Sequence, residues 1–122
     1  MHIEDFRDYC LLKPGVTEEM PFGPDTLVFK VGGKIFALTD LNAFASINLK
    51  CDPERATELR EQHEFVLPGF HMNKKHWNTV LIGTGVSDAL LRELIDHSYD
   101  LVRASLPRTV RAELAAQEAE PA

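Results

Sequence analysis

The side chains best suited to chemistry in this 122-residue sequence lie in one short stretch, Gly69-Phe70-His71-Met72-Asn73-Lys74-Lys75-His76-Trp77-Asn78-Thr79. No Asp or Glu occurs from Phe65 through Ser87, so an anion meets an attractive local potential there. Lys74 and Lys75 are residue types that hold phosphate, Asn73 and Asn78 can hydrogen-bond backbone or base edges, and an exposed Trp77 stacks on a base. Lys50 and Lys34 are supporting cations, while His71 and His76 add positive charge in mildly acidic solution. These parts suit contact with nucleic-acid phosphates. An alternative is a pocket beside the same loop, lined by His71, Asn73, His76, Trp77 and Asn78, that binds a small molecule or a protein without catalysis. The structural explanation is simpler: Trp77 begins a strand, His71 and Asn78 satisfy loop backbone, and the lysines keep a turn soluble.

Other chemistries have less support. His63, His71, His76, His97, Cys10 and Cys51 are potential metal ligands, but no closely spaced cysteine pair and no helical His-Glu-His arrangement occurs, so neither metal nor cofactor is expected. Gly32-Gly33 fits a hairpin turn better than a phosphate loop, and Gly83-Thr84-Gly85 only ends a strand. Cys51 precedes a helix cap, yet a small core cysteine explains it as well as a nucleophile does. No catalytic group is expected.

The 13 Lys and Arg against 19 Asp and Glu leave a net charge of −6, which excludes a protein that coats nucleic acid through its overall field. Any such contact must be local. With 44% hydrophobic and 26% charged residues, the composition is that of a globular chain rather than a disordered one. No apolar run approaches the roughly 20 residues of a membrane span, and the N-terminus lacks a signal-peptide pattern, so a cytoplasmic protein with free thiols is expected, its oligomeric state left open between a monomer and a dimer.

Ile3, Phe6 and Cys10 predict an amphipathic helix over about residues 3–12, stopped by Pro14-Gly15. Thr17 to Asp25, with Pro21, Gly23 and Pro24, reads as a loop into a sheet. Leu27–Val31 and Lys34–Thr39 flank Gly32-Gly33 as a β-hairpin, and Phe44–Lys50 alternates as a third strand. Asp52-Pro53-Glu54 supplies a cap, a first-turn proline and an acid for a helix over 53–63. Phe65–Pro68 is a short extended segment, Trp77–Ile82 a strand, and Ser87 caps a helix reaching Ala104. Together these patterns predict an α+β two-layer sandwich over residues 1–104, an antiparallel sheet faced by N- and C-terminal helices, with the helix at 53–63 peripheral. Residues 105–122 have the composition of a tail, a frayed helix or disordered.

The motifs Phe22-Gly23-Pro24-Asp25, Val28-Phe29-Lys30-Val31, Lys50-Cys51-Asp52-Pro53-Glu54, Pro68 through Asn78 and Leu94-Ile95-Asp96-His97-Ser98-Tyr99 occur in an order and spacing that resemble the MmcQ/YjbR family of small bacterial proteins. The resemblance covers about residues 5–104. It implies a fold like that of CyaY and frataxin, and DNA binding through a double-wing arrangement of loops, which places Asn73, Lys74, Lys75, His76 and Asn78 at the contact. Iron handling, the frataxin-like alternative, needs a dense acidic ridge. Here Glu4, Asp5, Asp8, Glu18 and Glu19 are interrupted by Arg7 and Lys13.

Overall fold

Short-range signals set most of the elements. Helix α1 (Ile3–Leu11) carries Glu4 and Asp5 in its first turn, where the helix dipole favours anions. Helix α2 (Pro53–Gln62) is capped by Asp52, which accepts from the Arg55 N–H at 3.2 Å, and Ser87 caps α3 (Asp88–Ala104) at 3.0 Å through the Leu90 N–H. The strands are β1 (Val16–Glu19), β2 (Thr26–Val31), β3 (Lys34–Asp40), β4 (Ser46–Lys50), β5 (Val66–Pro68) and β6 (Trp77–Leu81). A last helix, α4, spans Arg108–Ala119, and the computed structural model describes residues 1–119.

All six strands form one antiparallel sheet in the order β1-β2-β3-β4-β6-β5. Gly32 and Gly33, at φ 57° and 80°, make the β2–β3 turn that requires the left-handed region at both central positions. A register shift opposite Phe29 and Lys30 leaves Phe36 as an extra residue in β3. Its ring packs edge-on against Tyr99 at 5.4 Å. The Ser98 hydroxyl donates to the Phe36 carbonyl and accepts from the Lys50 N–H at 2.8 Å, tying α3 to two strands.

One face of the sheet is the core. Phe6 and Cys10 of α1 and Leu91, Leu94, Ile95 and Val102 of α3 are buried with Phe29, Ala37, Ile47, Leu49 and Val80. The α+β sandwich expected from the sequence is therefore present, with α2 lying at the β5–β6 end through Ala56 and Leu59.

Three sequence expectations change. The segment from Thr17, read as loop, begins with strand β1, which pairs Val16–Glu19 with Val31–Val28. A four-residue edge strand carrying two glutamates has too little apolar alternation to be seen alone. The third strand starts at Ser46, because Phe44 sits at φ 43° and packs its ring against Phe6 at 5.7 Å. Within the expected tail, Leu106 fills the space over Gly32 and Leu114 that over Gly15, so α4 is anchored to the sandwich. Residues 120–122 of that segment lie outside the described residues.

Candidate functional site

The 69–76 loop joins β5 to β6 and is built from its own polar groups. Gly69 N–H donates to the Trp77 carbonyl at 2.9 Å, and a Cβ on Gly69 would lie 2.9 Å from that same oxygen, so the loop leaves the sheet through a residue that must lack a side chain. Asn73 forms a turn, its side chain accepting from the Lys75 N–H at 2.9 Å and its carbonyl from the His76 and Trp77 N–H groups.

The sequence-predicted residues part company here. Lys74 is exposed, yet its ammonium turns back to the Gly69 carbonyl at 3.0 Å. Lys75 borders a surface hollow on α2 that also contains Glu54 and Glu58. His76 is half-buried, and its carbonyl accepts from the Cys51 N–H at 2.8 Å. Lys50 pairs in register with Trp77, so these two are brought beside the loop. Lys34 is not: it faces Val31 at the β2–β3 turn, two strands away from β6.

Asn78 is corrected from a contact residue to a positioning one. Only 3% exposed, it accepts from Arg60 Nε at 2.7 Å and donates to the Ala56 carbonyl at 3.5 Å. With β6 beginning at Trp77, strand alternation carries Asn78 to the helix side. Arg60 was not singled out in the sequence. Its guanidinium also donates to the Lys74 and Trp77 carbonyls, so one α2 side chain supports the base of the loop.

A groove of about 490 Å³ lies on the sheet face opposite the helices. Leu38, Ser46 and Asn48 line its sheet side. Phe22 and Asp25 of the 20–25 loop form one wall, and Phe70, His71 and Met72 form another. Of the five residues expected in a pocket beside the loop, only His71 lines it; Asn73, His76, Trp77 and Asn78 do not. The acid-free run along the chain also does not make an acid-free surface, because Asp25 and Asp40 face the groove and Glu54 and Glu58 approach Lys75. Tertiary proximity overrides sequence spacing.

A closed ring of hydrogen bonds fixes the Phe70 wall. The Thr79 hydroxyl accepts from the Phe70 N–H at 2.9 Å and donates to Asn48 Oδ1 at 2.6 Å, while Asn48 Nδ2 donates to the Phe70 carbonyl at 3.3 Å. Both main-chain groups of Phe70 are thereby held by side chains of the open sheet face. Its own side chain stays 46% exposed, and Phe22 opposite is 66% exposed. His71 follows at φ 58°, a conformation uncommon outside glycine and enriched where a binding wall is built. No local pattern marks Asn48 or Thr79, although Phe22-Gly23-Pro24-Asp25 and Phe70 are visible as unusual loop residues.

The thiols lie elsewhere. Burial pushes Cys10 up to about 12 and Cys51 up to about 11, and both are free. Among the described residues, no group of three or more His, Cys, Asp or Glu side chains is placed to hold a metal ion, and no helix is long and apolar enough to cross a membrane.

The chain is similar to the Escherichia coli O157:H7 protein YbdF, 49% identical over 100 residues that span 81% of this chain and 82% of that protein. It is 33% identical over 112 residues to YjbR of E. coli K12, spanning 91% and 95% of the two chains. A crystal structure of a Deinococcus radiodurans protein matches with a TM-score of 0.87 at 42% identity, covering 93% of this chain and 87% of that one. The YjbR family pattern matches residues 11–101, most of the sandwich. With the family pattern, these relatives and the matching fold in agreement, the chain belongs to the YjbR family.

Proposed function

We propose that this protein is a binding module whose ligand site is the groove on the open sheet face, and that it acts by reversible recognition without catalysis. The observation that carries this reading is the Asn48–Thr79 clamp on Phe70, which holds an exposed aromatic wall over a groove of about 490 Å³. That volume suits a small organic ligand, and a wall fixed in advance loses little freedom on binding. The buried thiols, raised by burial and absent from the groove, favour recognition over covalent chemistry. An amide NMR titration of the full chain with a panel of small aromatic and aliphatic fragments tests it. Saturable shifts concentrated at Leu38, Asn48 and Phe70–Met72 are expected. Shifts scattered over the surface, or none, would overturn the reading.

A second reading, duplex DNA, is favoured by one specific observation. The register sets Lys50 beside Trp77, and the Cys51–His76 hydrogen bond ties that end of β4 to the loop carrying Lys75. Against it stand the inward turn of Lys74 and the glutamates near Lys75. If three or four phosphates are neutralised, affinity falls roughly 40- to 150-fold between 50 and 200 mM salt. Fluorescence anisotropy with a labelled duplex reads that slope directly. Salt-insensitive binding, or binding unchanged when Lys74 and Lys75 are replaced by Glu, would remove this reading.

A further inference from the structure

We propose that the groove selects an organic cation, a protonated or quaternary amine carried on an apolar body. The inference rests on the groove reading above and adds the ligand's charge. Thr26 and Asp40 are register partners across β2 and β3, and the Leu41 N–H donates to the Asp25 carbonyl at 2.8 Å, so Asp25 and Asp40 come together at one end of the groove. Asp40 uses one oxygen to accept from the Asn42 N–H at 2.8 Å. The Asp25 carboxylate has no hydrogen-bond or ion-pair partner among the described residues. Among the described residues, no Lys or Arg lines the groove, and His71 is the one other titratable side chain facing it.

The rest of the lining mixes neutral polar side chains, Thr26, Thr39, Ser46 and Asn48, with a larger apolar surface. Phe70 and Met72 lie on the loop wall, Leu38 lies on the sheet, and Phe22 stands on the wall that carries Asp25. Aromatic faces attract ammonium groups through the ring quadrupole, and carboxylates add direct charge attraction. An anion meets the opposite field. The groove thus offers a negative end and an apolar end, the complement of an amphiphilic cation, whereas the cationic side chains Lys50 and Lys75 lie outside it.

Three probes of similar size separate the possibilities: phenethylammonium, phenethyl alcohol and phenylpropionate, each titrated into the full chain at neutral pH and constant ionic strength with amide NMR detection. Phenethylammonium is expected to shift Thr26, Asp40, Asn48 and Phe70–Met72 saturably and to bind about ten-fold more tightly than the alcohol. Asp25→Asn and Asp40→Asn should each narrow that gap. Because Asp40 also holds the Asn42 turn, Asp25→Asn is the cleaner variant, with an unchanged melting temperature as its folding control. Equal affinity for cation and alcohol, or tighter binding of phenylpropionate, would overturn the cation inference while leaving a groove that binds. Failure of all three probes to shift groove amides would overturn both.

Discussion

Asn48 and Thr79 face one another across β4 and β6, and the 2.6 Å bond between their side chains closes a ring that holds both main-chain groups of Phe70. The sheet thereby dictates where the 69–76 loop lies. Residues in the middle of two strands determine the wall of a groove formed by a loop that carries none of their chemistry.

Thr79→Val preserves shape and removes the hydroxyl, which leaves the Phe70 N–H and Asn48 Oδ1 without their partner in a part-buried site. The expected cost is about 1–3 kcal/mol, read as a lower urea midpoint at unchanged slope. Amide exchange at Phe70 should accelerate by more than the global loss of stability accounts for. If stability falls but Phe70 exchange follows only the global change, the ring is not what orders the wall.

Arg60 performs the matching task beneath the other half of the loop. Arg60→Met keeps much of the stem but strands Asn78 Oδ1, a side chain that is 3% exposed, and frees the Lys74 and Trp77 carbonyls. A loss of about 1–3 kcal/mol is expected. Lys should restore only part of it, because an ammonium lacks the fork that reaches several acceptors at once.

Helix α4 is predicted to be part of the cooperative unit. Leu114→Ala should cost about 2–4 kcal/mol through the cavity left over Gly15 and Val31, measured by thermal or urea unfolding. An effect near zero would mean that this helix rests on the sandwich without stabilising it.

His97 supplies a pH dependence. Its pKa is lowered from 6.5, first by burial and then by the Arg55 charge, and Nε2 accepts the Asp52 N–H at 3.1 Å, which requires that nitrogen to be unprotonated. The unfolded chain therefore takes up this proton at higher pH than the folded one. The contribution is intact above the ordinary imidazole value and is lost as pH falls from there toward the lowered folded value. Comparing the stability profiles of the natural chain and His97→Gln between neutral and mildly acidic pH checks this. The variant should lose that part of the slope.

Much of the sandwich was legible because its signals are local. Asp52-Pro53-Glu54 starts α2, Gly32-Gly33 turns the hairpin, and the spacing of Leu91, Leu94, Ile95, Ser98 and Val102 gives the buried face of α3. Strand β1 was hidden because Thr17, Glu18 and Glu19 acquire strand character only by pairing with β2. The site was half legible. The 69–76 loop stood out by composition, but which of its groups face outward depends on Arg60, Asn48 and Thr79, which come from three other elements. Asn78 shows the difficulty most clearly: two residues past the loop, alternation turned it from a candidate contact into a buried acceptor.

The most direct measurement is an NMR structure of the full chain with phenethylammonium, using intermolecular contacts from the probe's ring protons. Contacts to Leu38, Phe70 and Met72 are expected, with the ammonium end toward Asp25 and Asp40. Contacts confined to Lys50, Lys75 and His76, or none at a saturating probe concentration, would contradict that placement.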